Sequence, residues 1–409
     1  MHRTPRPPVK ALDPRRYGFK VRAELDPAYA SDVQPVEATE TDPDHVYDPA
    51  GIFYAEQDQP WTIDAITRRL GELYADSIGF EYMHLPNKWE REWIARTLES
   101  SHSEKTSVET RLAQWALLEQ SETFDRFLHK RFPNVKRYGL QGGESMMIAL
   151  ERIFSNASRE GVKEAVLAMP HRGRLNVLAQ LLDFDVRLIA HKMKGQSELS
   201  QEMLDKGMTG DVLSHLFASP TLQPGKHDLA APLTVHLLPN PSFLEAVNPV
   251  GMGLARALQV QGRSADGKHE LGEEVLNITV HGDGAWAGQG VVAETLNLQS
   301  LPHFTVGGTI HLVVNNQIGF TTNAEHGRTG LYATDLAKAI SAPIVHVNGD
   351  HPAAVARAVK VAMQYRAFFK KDVVIDLIVY RRLGHNELDD PSYTSPHLYR
   401  TIKDLKWVA

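Results

Sequence analysis

Beyond about residue 136, short apolar runs alternate with stretches whose apolar residues recur at helical spacing. The runs Ala165–Met169, Leu233–Leu238, Val275–Val280, Thr309–Val314, Ile344–Val347 and Val373–Tyr380 are rich in Val, Ile and Leu. Leu331–Ile340 and Ala353–Phe369 read as helices. Near-continuous apolar strands separated by helices predict an α/β fold, with a mostly parallel sheet covered by helices on both faces. Upstream the pattern is helical alone. Ile63, Ile66, Leu70, Leu73 and Tyr74 share one face, as do Trp89, Trp93, Ile94 and Leu98. A third periodic stretch carries Leu112, Trp115, Leu118, Phe124 and Phe127, with Pro133 as a stop. Residues 1–58 are rich in Pro and Asp and show little periodicity, which predicts an extended or partly disordered lead-in. The expected division is therefore lead-in 1–58, a small helical region 59–135, and an α/β domain 136–409.

Ligands of such sheets bind at the carboxyl ends of the strands, so polar residues directly after the apolar runs are the candidates for chemistry. The run Val275–Val280 leads into His281-Gly-Asp-Gly284, and Thr309–Val314 leads into Asn315-Asn316. Two strand ends thus bring a carboxylate and a carboxamide to one sheet edge, beside a helix start whose free N–H groups suit a phosphate. Gly282 and Gly284 are expected to take positive φ there. Asp283, Asn316 and the Ile318 carbonyl supply hard oxygens, and diphosphate oxygens could complete an octahedron around Mg2+. That combination points to thiamine diphosphate. The bland alternative is a tight strand–helix turn with structural glycines. A dinucleotide site fits less well, because Gly288 stands one residue too late for G-x-G-x-x-G.

Other polar clusters are less specific. In Met169-Pro-His-Arg-Gly-Arg174 an arginine could grip a phosphate bidentately and His171 could meet a substrate carboxylate; a helix cap with solvated arginines is the competing reading. Gly210-Asp-Val-Leu-Ser-His215 is a polar turn whose lone histidine is more often structural. Asn240-Pro-Ser-Phe-Leu-Glu245 and Gly384-His-Asn-Glu387 also follow strands, and either orient neighbours or cap turns.

Composition narrows the class. With 42% hydrophobic and 23% charged residues, the 409-residue chain has the balance of an ordinary globular protein. A net charge of -6, without a basic stripe, argues against nucleic acid as a partner. No apolar run is long enough for a membrane span. Zero cysteines exclude disulfides, thiolate metal sites and a cysteine nucleophile. The arginines of the first residues lack the serines and amphipathic pattern of a transit peptide. The compartment therefore stays open between bacterial cytoplasm and mitochondrial matrix.

Taken together, the motifs resemble the first, decarboxylating component of the 2-oxoglutarate dehydrogenase complex and its 2-oxoadipate-using paralogue. The matching stretches are Ala11-Leu-Asp-Pro14, Glu81-Tyr-Met-His84, Met169 to Leu178, Gly210-Asp-Val212, Asn240-Pro-Ser242, Gly282 to Asn316, Phe320-Thr-Thr322, His346 to Asp350 and Tyr380 to Glu387. The resemblance implies that Asp283, Asn316 and the Ile318 carbonyl hold Mg2+, with Arg172 and Gly284 at thiamine diphosphate. It implies His171, His215, Ser214 and Ser219 in the substrate pocket and His281 beside the cofactor, with His171, His215 and His281 as the catalytic histidines. The implied reaction is decarboxylation of a 2-oxo dicarboxylic acid and acyl transfer to a lipoyl group, with an acyltransferase core and dihydrolipoyl dehydrogenase as partners. Enzymes for 2-oxoglutarate typically read Gly-Asp-Val-Lys-Tyr-His, whereas Leu213-Ser214 precede His215 here, as in the 2-oxoadipate paralogues. Loss of the ring implies a wider pocket, although one methylene discriminates by only about 1–3 kcal/mol. Phe243 stands where the family has His, and Gln141 where it usually has Glu. Family members are about twice as long, and their second half holds the cofactor's aminopyrimidine ring. The expectation is an incomplete half-site that works as a homodimer or with a separate second-half polypeptide. The alternative is a truncated, non-catalytic or regulatory subunit that keeps the fold.

Overall fold

The computed structural model describes residues 46–47, 52–54, 60–101, 106–266, 270–406 and 408, so most of the expected lead-in lies outside the described residues. The apolar runs form the centre of an eight-stranded sheet. Its strands are β1 (Ile78–Glu81), β2 (Glu164–Ala168), β3 (Thr221–Leu222), β4 (Leu233–Leu237), β5 (Val275–Gly282), β6 (Thr309–Asn315), β7 (Ile344–Asn348) and β8 (Val373–Ile378). Their spatial order is β1-β7-β8-β6-β5-β2-β4-β3. The six inner strands are parallel, as expected from their apolar continuity. Both edge strands are antiparallel and were not legible as strands: β1 pairs with β7, and the two-residue β3 with β4.

The chain goes from β2 outward to β4, then returns to the other side of β2 for β5 and continues to β6. The winding direction therefore reverses between β2 and β5. The crevice beyond their carboxyl ends is the topological switch point, where ligands of open α/β sheets bind.

Strand alternation gives the sheet two unlike faces. Ala165, Leu167, Leu276, Ile278, Val280, Ile310, Leu312, Val314, Val373, Ile375 and Leu377 point to one side and join a single apolar cluster. Helices α1 (Ser145–Arg159) and α2 (Pro352–Phe369) supply the other half of that cluster. On the opposite side the same strands bury Asn277, Thr279, His281, Thr309, His311, Asn315, His346 and Asp376. That side is covered by helices Val247–Asp266, Asp283–Gly288 and Gly290–Leu296 and by Ala333–Ile340. The last winds as a 3-10 helix from Ala333, two residues later than the Leu331 expected, because Asp335 accepts the Tyr332 N–H and caps it. Ahead of the sheet, helices Ile63–Tyr74, Lys88–Ser101 and Val108–Arg131 match the three periodic stretches. Thr62 and Ser107 cap the first and third of these through their hydroxyls. Strand β1, between the first two helices, ties this region into the sheet.

Candidate active site

Asp283 is the first residue of a six-residue helix that begins as β5 ends, and Asn316 directly follows β6. The parallel register sets Gly282 beside Val314, so the two strand ends deliver both side chains together. Asp283 Oδ1 accepts the Asn316 N–H at 3.0 Å. The nearest cation, Arg328 Nη1, stands 3.9 Å from Asp283 Oδ2, too far for a hydrogen bond. Burial pushes the Asp283 carboxyl up to about 6, and Arg328 and the Asn316 N–H only partly oppose it. Asn316 Nδ2 donates to the Val314 carbonyl, which leaves Oδ1 buried without a partner. A buried carboxylate with only partial compensation and an amide oxygen with no partner are thus held together in a dry place, which is the condition a bound cation would relieve.

The glycines work differently from expectation. Gly282 has φ of -93°, and Gly284 is not among the residues with positive φ. A Cβ on Gly282 would meet nothing within 4 Å, whereas the value of Gly284 is closeness. A Cβ on Gly284 would meet Gly319 Cα at 2.8 Å, so a side chain there would push the helix start away from the Ile318–Gly319 turn. Ile318 is buried and opens a two-residue hairpin with Thr322–Asn323. Among the described residues no cluster of three or more His, Cys, Asp or Glu is arranged to hold a metal. With one carboxylate and neutral oxygens, this corner suits a hard cation that brings further oxygens from its own ligand.

Arg172 follows β2 at the switch point. Its Nε and Nη2 are taken by the Gly139, Leu140, Gln141 and Tyr380 carbonyls, whereas buried Nη1 has no partner. The guanidinium is thus largely a tie between loops, with one nitrogen left for a ligand. His171 packs on Tyr138 at 4.0 Å between ring centroids and edge-on to His385 at 5.3 Å, while Phe320 meets His385 at 4.8 Å. Burial, then the charges of His385 and Arg172, push His171 down to about 3. It is a neutral imidazole near neutral pH, able to donate one hydrogen bond rather than a charge. Arg381 Nη2 donates to the Phe320 carbonyl at 2.8 Å and links this aromatic wall to the segment after Ile318.

His215 and Ser214 are buried in a short 3-10 turn, and Ser219 is exposed just beyond it. His215 Nδ1 lies 2.9 Å from Asp211 Oδ2, and Nε2 lies 3.3 Å from Ser242 Oγ. His281 lies behind the site. Its Nδ1 is 2.6 Å from Glu245 Oε2 and its Nε2 3.0 Å from His311 Nδ1, while His311 Nε2 is 3.1 Å from Asp372. Burial pushes the His281 imidazole down and Glu245 pulls it back. Both of its nitrogens are engaged inside the fold, so His281 fits a supporting position better than the catalytic one expected of it.

The structure therefore gathers Asp283, Asn316, Gly284 and Ile318 at one corner, and His171 with Arg172 along a second wall. His215, Ser214 and Ser219 form a separate loop whose side-chain hydrogen bonds, among the described residues, run to Asp211 and Ser242 rather than to the Asp283 corner. Sequence reading passed over Arg328, Tyr138, His385, Asp211, Ser242, Glu245 and His311. Asp211, Ser242 and His385 lie inside motifs already singled out, whereas Arg328 and Tyr138 carry no local signal.

The chain matches the family model described as the dehydrogenase E1 component over residues 119–407. It is 42% identical over 395 residues to a probable 2-oxoadipate dehydrogenase complex component E1 homolog from Caenorhabditis elegans, covering 95% of this chain and 42% of the relative. It is 43% identical over 349 residues to the human 2-oxoadipate dehydrogenase complex component E1, covering 84% of this chain and 37% of that protein. The 2-oxoglutarate dehydrogenase E1 component of Brucella ovis is 44% identical over 361 residues, 87% of this chain and 35% of the relative. The chain spans less than half the length of these relatives. A strand-end oxygen pair at the switch point of a mostly parallel sheet, and a family match that spans every strand of that sheet but the edge strand β1, converge: the chain belongs to the dehydrogenase E1 component family.

Proposed function

We propose that this chain supplies the metal- and diphosphate-binding part of a thiamine-diphosphate-dependent 2-oxo acid dehydrogenase, with 2-oxoadipate or 2-oxoglutarate as substrate. The observation that carries the reading is the pairing, at adjoining strand ends, of the buried and only partly compensated Asp283 carboxylate with the partnerless Asn316 Oδ1. Asp283, Asn316 and the Ile318 carbonyl would hold Mg2+, and Arg172 Nη1 and the Gly284 turn would meet the cofactor. When bound, thiamine diphosphate supplies a nucleophilic ring carbon and an electron sink for loss of carbon dioxide. Around it, this chain orients and excludes water. His171 donates a hydrogen bond to a substrate carboxylate, and His215 presents Nε2 beside Ser214 and Ser219. Ser214, in place of a ring, leaves room for the longer six-carbon acid.

The acyl product would pass to a lipoyl group of an acyltransferase core, served in turn by dihydrolipoyl dehydrogenase. A homodimer, or pairing with a polypeptide that holds the cofactor's other ring, fits the family name and the extent of the match. Bacterial cytoplasm or mitochondrial matrix is the expected setting, and no described helix is long and apolar enough to cross a membrane. A second reading, a non-catalytic subunit that retains the fold, is favoured by one observation: Phe243, where the family has an ionisable His, stands exposed.

Calorimetric titration of the chain with magnesium and thiamine diphosphate tests the proposal. Saturable binding that needs magnesium and disappears in Asp283→Ala is expected. No binding to the wild-type chain, or binding indifferent to that substitution, would sink it.

A further inference from the structure

The 3-10 turn Leu213–His215 with the residues before it, and the loop after β4, bring three chemistry-bearing side chains into line. Asp211 Oδ2 stands 2.9 Å from His215 Nδ1, and His215 Nε2 stands 3.3 Å from Ser242 Oγ. Asp211 is an ionised acceptor: burial, the largest single influence, pushes its carboxyl up, but the Val212 N–H and His215 together outweigh it and hold it low. An ionised acceptor at Nδ1 fixes the proton there, so Nε2 turns a lone pair toward the Ser242 hydroxyl. Nucleophile, base and orienting group within hydrogen-bond reach of one another are the arrangement that activates a serine.

The geometry is held from behind. Arg174, fully buried, donates to the Leu216 carbonyl at 2.8 Å, the Leu238 carbonyl at 2.9 Å and the Met169 carbonyl at 2.7 Å. One guanidinium thus ties the loop carrying His215 to the segment leading into Ser242 and anchors both to the end of β2. His215 is buried whereas Ser242 is exposed, so the base is sheltered and the hydroxyl open to a reagent.

We propose that Ser242 is a nucleophile, His215 its general base and Asp211 the positioning residue that fixes the His215 tautomer, and that this trio takes acyl groups from activated carboxylic esters. Ser242 Oγ forms a bond to the carbonyl carbon while its proton moves to His215 Nε2. The bond to the alkoxide leaving group then breaks, and the same proton goes to that group as it departs as an alcohol. Water repeats the sequence on the acyl-serine and releases the carboxylic acid. No metal, oxidant or cofactor enters the balance, so the activity can be assayed without thiamine diphosphate, although His215 is shared with the pocket of that reading.

The test uses the full 409-residue chain without magnesium or thiamine diphosphate. It is incubated with a fluorophosphonate reporter, whose P–F bond breaks as Oγ–P forms, and in parallel with 4-nitrophenyl acetate. One reporter per chain, located on Ser242 by peptide mass spectrometry, is expected, with ester hydrolysis above background. Ser242→Ala should be unlabelled at unchanged thermal midpoint. His215→Ala should react roughly 100-fold more slowly, as loss of a general base implies. Asp211 is 65% exposed and its influence screened, so Asp211→Asn should slow labelling only about threefold to tenfold, with recovery in Asp211→Glu. A merely structural role for Asp211 would not give that recovery. A wild-type chain that leaves Ser242 unlabelled, or labelling at wild-type rate in His215→Ala, would overturn the assignment.

Discussion

The two faces of the central sheet are built from the same strands and do different work. On one face Leu276, Ile278, Val280, Ile310, Leu312 and Val314 meet helices α1 and α2 without a polar atom in the strand side chains. On the other, alternate residues form buried polar chains. Lys338 holds Glu81 at 2.6 Å, Glu81 holds His346 at 2.7 Å, His346 holds Asp376 at 2.8 Å, and Asp376 accepts from Asn315 at 3.0 Å. A second chain runs Glu245–His281–His311–Asp372. Both polar chains reach the strand ends that carry Asn316 and Asp283. Both faces contribute to stability, but only the polar one leads to the strand ends of the candidate site.

The sharpest way to break this contrast is to put a charge on the dry face. Ile278 is fully buried among apolar side chains with nothing to pair an aspartate. Ile278→Asp should cost more than about 4 kcal/mol and leave little folded protein, as judged by far-UV circular dichroism and urea unfolding. A cooperative transition near the wild-type midpoint would show that the dry face is less close-packed than described.

On the polar face the largest effect should come from opening an ion pair. His346→Leu leaves Asp376, fully buried, with Asn315 alone as its side-chain partner, and strands Glu81 beside Lys338. Removal of one partner from a buried pair costs roughly 3–5 kcal/mol. Because Asp376 then has reason to move, Asn315 and the neighbouring Asn316 should shift with it, and weaker magnesium–thiamine diphosphate binding should accompany the loss of stability. Leu312→Ala on the dry face, at a comparable stability cost of about 2–5 kcal/mol, should leave that binding nearly unchanged. Equal loss of binding in both variants would erase the functional difference between the faces.

This contrast also marks what the sequence could and could not disclose. The six parallel strands were legible because burial on both faces makes them nearly continuous in Val, Ile and Leu. Asp283 and Asn316 stood out because ligands of such sheets bind at strand ends, and the structure brings the two together there. The edge strands Ile78–Glu81 and Thr221–Leu222 were not, being short and defined by their partners β7 and β4. His281 looked catalytic beside Gly282-Asp283, yet strand alternation turns it inward to Glu245 and His311. Its neighbour in space, His311, lies thirty residues away in sequence, inside what reads as an ordinary apolar strand. Positive φ was expected at Gly282 and Gly284 and is found at neither; at Gly284 the reason for glycine is proximity to Gly319, which local pattern does not encode.

A smaller and reversible effect should follow pH. Burial alone would lower the His346 imidazole, but hydrogen bonds to Asp376 and Glu81 outweigh it and raise it to about 9. Against an unfolded value near 6.5, the folded state holds this proton more tightly. The associated stability is fully present below about pH 6.5 and is lost as pH rises through about 9. It amounts to roughly 3 kcal/mol. Glu81, where burial is outweighed by His346 and Lys338, is held at about 2, and that contribution is lost as pH falls through this value. The two describe one pair from both ends and are not additive. Denaturant unfolding between pH 6 and 10 should show the decline in the wild-type chain and a flatter profile in His346→Leu. Parallel slopes for the two would remove His346 as the cause.

The smallest effect on stability should come from the residue most important to the proposed ligand. Asp283→Ala gives up one hydrogen bond to the Asn316 N–H, but also removes a carboxylate whose burial is only partly compensated. The lost hydrogen bond and the relieved desolvation are each of order 1 kcal/mol and oppose one another, so unfolding free energy should change by no more than about 1 kcal/mol. Binding of magnesium and thiamine diphosphate should nonetheless fall by roughly 100-fold or more, since even supporting contacts around a metal are worth 10- to 100-fold. The thermal midpoint separates the two effects directly. Magnesium with thiamine diphosphate should raise it in the wild-type chain, as any ligand of the native state does, and leave it unmoved in Asp283→Ala. A ligand-free midpoint far below wild type in Asp283→Ala would instead make Asp283 a structural residue of the polar face, and the separation of stability from site would fail at the point where it is most exposed to test.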